Sequence, residues 1–297
     1  MRDKIKIKWL LGVICLVLVL AGCSGVKTKN STKQINVVAT TDFYAQVAQT
    51  VLGKHGTATA IIHNSSVSPE EYEAKPATAK LVAQADLVVA NGLGYDSWLS
   101  KLVKATGQPD KEITVGQDVL KQPMGSNPHV WNNPQNMIKL AKALATKFSK
   151  MDKKHAREYQ QNAQKYINQL KPVTQLLKQL TVNGQHNQVI VSEPVYNLML
   201  QALGYQVVNA KFAMAVEEGN DPTPQVYHQL QKQIKKHQVQ FLVENTQSTS
   251  NIVKQVVTLA KKNNLPIVKV TETLPTGLDY VSWQLQNLRQ IEKIQKE

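Results

Sequence analysis

Short β-branched, apolar runs alternate with helix-patterned stretches along most of this chain. In the first half the runs are INVVATT (35–41), TATAIIH (57–63) and DLVVANG (86–92). In the second half they are QVIVS (188–192), YQVVNA (205–210), VQFLVEN (239–245) and PIVKVTE (266–272). Runs this apolar suit strands buried on both faces, the condition of a parallel sheet. Parallel neighbours need a crossover, and helical periodicity at Phe43–Leu52, 76–85, Val195–Leu203, Pro224–His237, Ile252–Lys262 and from Asp279 onward supplies it. The expected fold class is α/β, with two Rossmann-like lobes built on parallel sheets.

Between the two series the period changes. Tyr159, Ala163, Tyr166, Ile167, Leu170, Val173, Leu177 and Leu180 recur at steps of three or four. This pattern predicts one long amphipathic helix over Asp152–Leu180, with Asp152 as its cap and a kink at Pro172. At 1.5 Å per residue it would run roughly 40 Å, enough to cross a domain. The expected organisation is an N-terminal lobe over 35–150, an interlobe helix over 151–181 and a C-terminal lobe over 182–297, with the cleft between the lobes.

The first residues carry a separate message. Arg2, Lys4, Lys6 and Lys8 precede an apolar run from Trp9 to Ala21. At about 13 residues that run is short for a membrane span of ~20, and it follows the grammar of a secretory signal. A signal peptide is expected over 1–22, followed by a polar, aperiodic tether over 23–34. The only cysteines are Cys15 and Cys23. A chain cut before Cys23 keeps no pair of thiols, which excludes cysteine-based zinc sites and thiol catalysis. The full chain carries +14; Arg2, Lys4, Lys6, Lys8 and Asp3 account for a net +3 of this, leaving +11. The lysines are dispersed and the chain is expected to be exported, so a solvated basic surface is expected and nucleic acid is not.

Four segments follow strands or sit in stiffened loops where a two-lobed α/β protein places its cleft. SVSPEEYEA (66–74) carries Glu70 and Glu71. NPHVWNNP (127–134) holds His129 between Pro128 and Pro134. SEPVYN (192–197) carries Glu193, and KVTETLP (269–275) carries Glu272. A carboxylate at a buried strand end is unfavourable unless it meets a cation. One imidazole with several carboxylates is a divalent-metal donor set, and its oxygen content favours manganese over zinc. Blander roles stand beside this one: Glu70 or Glu71 as a solvated loop acid, His129 packed on Trp131, Glu193 capping the helix at Pro194, and Glu272 as a surface acid. Glu244 and His63 are weaker ligand candidates, and Asp221 suits a helix cap. HExxH, GxSxG and phosphate-loop sequences are absent, so nothing points to a hydrolase.

Taken in order, LAGC (20–23), ADLVVANGLGYDSWLSKL (85–102), NPHVWNNP, SEPVYN, EEGNDPTP (217–224) and KVTETLP resemble the metal-binding lipoproteins of manganese and zinc ABC importers, a family sometimes described as adhesins. The resemblance covers nearly all of 36–297. It implies cleavage before Cys23, lipid attachment to its thiol, and anchoring on the outer face of the cell membrane. It also implies a metal held by one ligand from each of four loops, with His129 matching the second-loop histidine and Glu193 the manganese-type third ligand. Glu272 stands where the family often has aspartate, and Glu70 where it usually has histidine. The implied protein is a monomer without an organic cofactor. It captures a divalent metal, manganese before zinc, and delivers it to a membrane permease. The alternative is an adhesin or scaffold with a degenerate metal site. With Glu70, Glu193 and Glu272 all ionised, the loaded site would carry a net −1.

Overall fold

The computed structural model describes residues 34–182 and 187–297; the signal-like segment, Cys23 and nearly all of the expected tether lie outside the described residues. The first sheet comprises β1 (Ile35–Thr41), β2 (Gly56–Ile62), β3 (Leu87–Ala90) and β4 (Glu112–Thr114), in the order β2-β1-β3-β4. The second comprises β5 (Gln188–Val191), β6 (Gln206–Val207), β7 (Leu242–Asn245) and β8 (Ile267–Val270), in the order β6-β5-β7-β8. Every pairing is parallel. The expected α/β architecture with two parallel sheets is what the chain adopts.

The central strands β1, β3 and β5 are apolar because each sheet is covered on both faces. Val37 and Ala39 of β1 join one cluster, packed with α1 (Asp42–Leu52), α4 (Pro134–Met151) and α5 (Ala156–Gln169). Val38, with Val88 and Ala90 of β3, joins the opposite cluster, packed with α2 (Pro76–Gln84) and α3 (Ser97–Ala105). That division is the period of two expected of a strand. In the second lobe Val189 and Val191 face α6 (Lys171–Leu180) and α7 (Asn197–Ala202). Ile190 faces α8 (Ala210–Glu217), α9 (Pro224–Lys235) and α10 (Asn251–Lys262).

The expected long interlobe helix is not continuous. A 3₁₀ turn, Lys153–His155, follows α4, and the segment then divides into α5 and α6 at Leu170. Pro172 occupies the first turn of α6, where its missing N–H is harmless, so it starts a helix rather than kinking one. Asp152 sits at the N-cap position of that 3₁₀ turn rather than of a long helix, with no side-chain cap bond; its carboxylate accepts from His155 Nδ1 and Tyr159 Oη. α5 packs on α1 and α4, whereas α6 packs on the last helix, α11 (Tyr280–Lys296). α11 joins the lobes in a way the sequence did not suggest. Tyr280 and Trp283 belong to the first lobe's core, and Leu288 and Ile291 belong to the second lobe's core.

Candidate metal centre

The predicted residues lie at the carboxyl ends of the strands. His129 is the most firmly held. At the end of β3, the Asn91 side chain donates to the Pro128 carbonyl at 3.0 Å, and Tyr280 on α11 donates to the Trp131 carbonyl at 2.6 Å. Asn132 reaches across to the Val195 carbonyl at 2.7 Å. Asn127 fixes the imidazole itself. Its Nδ2 donates to the Pro194 carbonyl at 2.9 Å, so its Oδ1 faces His129 and lies 2.9 Å from Nδ1. Nδ1 therefore carries the proton, and Nε2, behind the cleft lining, turns its lone pair toward Glu217. His129 is 1% exposed, and burial pushes its pKa down to about 3, so the ring is neutral. It also packs edge-on against Trp131, at 5.2 Å between ring centres.

Tyr95 links this floor to the far lobe. The turn after β3 is set by buried Asp96, whose carboxylate accepts from the amides of Asn91 and Gly92 and from the Thr40 hydroxyl. Gly92 adopts φ +77, and a side chain there would collide with Gln117 Oε1, so glycine is required. The turn aims Tyr95 Oη at Glu272 Oε1, 2.8 Å away. Glu272 follows β8, and its amide donates to Gln247 Oε1 at 2.6 Å. Glu193 follows β5. Its side chain does not cap the turn at Pro194; it accepts from Asn245 Nδ2 at 2.5 Å. Glu70 lies at the exposed rim, in a loop held by Trp98 Nε1 donating to the Pro69 carbonyl at 2.8 Å. Thr273 donates to the Ser65 carbonyl at 2.9 Å, and Gln247 donates to the same oxygen, tying the first loop to the second lobe.

One further acid converges here. Glu217 ends α8, and its Oε1 lies 3.5 Å from His129 Nε2, the nitrogen left with a lone pair. A carboxylate at a helix C-terminus opposes the helix dipole, so this position is unfavourable without a cation. The sequence reading placed no helix over 210–217 and gave Glu217 no role. Its clearest signal was the acid pair at the head of EEGNDPTP. Asp221 is not the cap of the following helix; Thr223 Oγ1 accepts from the Val226 amide. Glu244 and His63 do not line the cleft.

The cleft has a volume of about 930 Å³, far more than one ion fills, so any selectivity must come from its donors. Its lining includes Glu70, Glu71, Glu193, Glu217, Glu218, Asp221 and Glu272 and contains no Lys or Arg, although the chain carries +14. Burial first, then Glu70, Glu272 and Glu193, pushes the Glu217 pKa up to about 8. Burial raises Glu272 to about 7, against the lowering effect of Tyr95, with Glu70 and Glu193 adding to the rise. Glu70, although exposed at the rim, is raised by partial desolvation of its carboxyl and by Glu71 and Glu193. Without a cation, Glu217 and Glu272 therefore hold protons near neutral pH, because desolvation and like charge both disfavour the anion. The ligand atoms are not yet gathered. Among the described residues, no three of Glu70, His129, Glu193, Glu217 and Glu272 bring theirs within 4.8 Å of one another. A neutral imidazole facing several carboxylates suits a hard or borderline divalent cation that draws the acids inward.

Two parallel α/β lobes with a polar cleft at their strand ends define a solute-binding protein. The sequence profile of the family described as zinc-uptake complex component A, periplasmic, matches residues 37–294, and the chain belongs to that family. It is 26% identical to the metal ABC transporter substrate-binding lipoprotein ScbA of Streptococcus cristatus, over 96% of this chain and 97% of that one. It is 25% identical to the manganese ABC transporter substrate-binding lipoprotein PsaA of Streptococcus pneumoniae, over 94% of each. Among solved structures, FpvC of Pseudomonas aeruginosa in complex with Mn²⁺ superposes with a TM-score of 0.73 at 20% identity, covering 89% of this chain and 99% of that one. The Mn-bound periplasmic metal-binding protein of Candidatus Liberibacter asiaticus gives 0.71 at 18%, covering 88% and 100%. At those identities the two structures bear on the fold alone.

Proposed function

We propose that this protein captures a divalent transition metal outside the cytoplasm, Mn²⁺ ahead of Zn²⁺, and delivers it to an ABC permease. The observation that carries the reading is an acid-lined cleft without a basic side chain, in a chain of strongly positive net charge. His129 Nε2, Glu70, Glu193 and Glu272 are the proposed ligands, and Glu217 joins them because it faces the same nitrogen. Oxygen-rich ligation favours manganese, as does the single imidazole. The names of the full-length relatives support metal as the cargo and an ABC transporter as the system. The lipid anchor at Cys23, an extracytoplasmic position and a monomeric state complete the proposal; the basic and apolar N-terminus with its LAGC sequence supports the anchor.

Calorimetry with Mn²⁺ and Zn²⁺ on metal-stripped protein tests the reading. One equivalent of Mn²⁺ should bind, and Glu193→Ala should weaken it by at least ~100-fold, the upper end of what lesser changes around a metal site produce. Flat titrations with both metals, or binding unchanged in Glu193→Ala, would overturn it.

A further inference from the structure

At the opposite end of the first lobe lies a second cluster of metal-ligating side chains. Helix α1 leaves the carboxyl end of β1 and returns the chain to the amino end of β2, so the 3₁₀ turn Gly53–His55 lies away from the cleft. There His55 meets the start of α5. His155 and Glu158 stand three apart, a spacing that puts both on one side of a helix. One ligand atom from each of His55, His155 and Glu158 lies within 4.8 Å of the other two.

The trio offers two imidazoles and one carboxylate, and the stacked rings must turn before their nitrogens can converge on one ion. The two imidazoles stack at 3.8 Å between centres with planes 19° apart. His155 donates Nδ1–H to Asp152 at 2.6 Å, and the same Asp152 oxygen accepts from Tyr159 Oη at 2.9 Å. This carboxylate–histidine pairing fixes the tautomer and frees Nε2 as a ligand. Nε2 has no protein partner among the described residues. His55 Nε2 lies 2.8 Å from Glu158 Oε2, where a proton now bridges the two. The His55 and His155 side chains are only 10% and 14% exposed, whereas Glu158 is 44% exposed. Tetrahedral zinc with bonds of about 2.0–2.2 Å needs ligand atoms ~3.4 Å apart. His55 Nε2 and Glu158 Oε2 are already inside that spacing at 2.8 Å, so binding requires Glu158 to give way and an imidazole to turn toward the ion. Lys54 Nζ, 3.5 Å from the same carboxylate oxygen, is the competing cation.

We infer that His55, His155 and Glu158 form a second, peripheral transition-metal site, selective for zinc-class ions over manganese, with Asp152 orienting His155. Two imidazoles and one carboxylate suit Zn²⁺, Ni²⁺ or Cu²⁺, whereas the oxygen-rich cleft suits Mn²⁺. The cation displaces the proton between His55 Nε2 and Glu158 Oε2, which leaves to solvent. Bound metal would staple the turn after α1 to the first turn of α5. The inference does not depend on the cleft.

The test uses full-length protein with Glu193→Ala and Glu272→Ala disabling the cleft. Equilibrium dialysis against Zn²⁺ and against Mn²⁺, read by elemental analysis, should find one Zn²⁺ and no Mn²⁺. Adding His155→Ala should abolish zinc retention, and Asp152→Asn should weaken it about 10–100-fold. Lys54→Met should tighten it, an effect that misfolding cannot imitate. No zinc in the cleft-disabled protein, or zinc undiminished by His155→Ala, would overturn the site; a working cleft in otherwise wild-type protein would survive either result.

Discussion

Asn127 decides which nitrogen of His129 faces Glu217. Because its amide nitrogen is committed to the Pro194 carbonyl, its oxygen has one orientation, and the imidazole must follow. Asn127→Ala should leave the fold intact by circular dichroism but weaken Mn²⁺ about 10–100-fold, because the ring loses its orienting partner. Glu217 gives a two-sided prediction. Glu217→Gln removes one acid from a crowded cluster, so calorimetry should show weaker Mn²⁺ binding while the metal-free protein melts higher at mildly alkaline pH. The contrast between these residues explains what was legible. His129, Glu193 and Glu272 were readable because strand ends and prolines mark their positions along the chain. Glu217 was not, because its importance comes from lying 3.5 Å from a residue 88 positions earlier, a distance that only the folded chain defines. Asn127 escaped notice for the same reason.

Among the elements, strands with several consecutive apolar residues were read correctly, and the weakest were not. β4 has three residues, none of them buried, and it was missed. β6 shrinks to two, although YQVVNA suggested more. The break between α5 and α6 was invisible for a different reason: Tyr166, Leu170, Val173 and Leu177 remain buried on either side of it, so hydrophobic spacing continues where the hydrogen-bonded helix does not. The reach of α11 could not be seen because the two ends of one apolar stripe look alike in sequence yet enter different cores. Trp283 is 1% exposed and contacts Phe43 at 6.0 Å between rings. Trp283→Ala should lose about 3–5 kcal/mol. Chemical denaturation followed by far-UV and aromatic signals should show both lobes losing stability together, rather than the first lobe alone.

For the molecule as a whole, acidity couples stability to cargo. Glu217 and Glu272 have folded pKa values of about 8 and about 7, above the unfolded value of about 4.3. These two acids make metal-free stability fall as pH rises from about 4.5 to about 8, while neutral His129, with its folded pKa of about 3, opposes the fall below about 6.5, so the decline is clearest between about 6.5 and 8. Each 1 kcal/mol of that loss lowers the melting temperature by ~2–4 °C in a protein of this size. Excess Mn²⁺ should flatten the upper part of the profile, since it binds only the native, deprotonated site. A metal-free melting temperature that rises steadily over this interval would contradict the assignment of these two acids. The last helix adds a mechanical constraint. With its front half rooted under the first sheet and its rear half under the second, the jaws share one spine and cannot gape like a hinged shell. Opening and closing would then come from rearrangement of the lips, where Glu70 lies, rather than from a change in the span of the molecule.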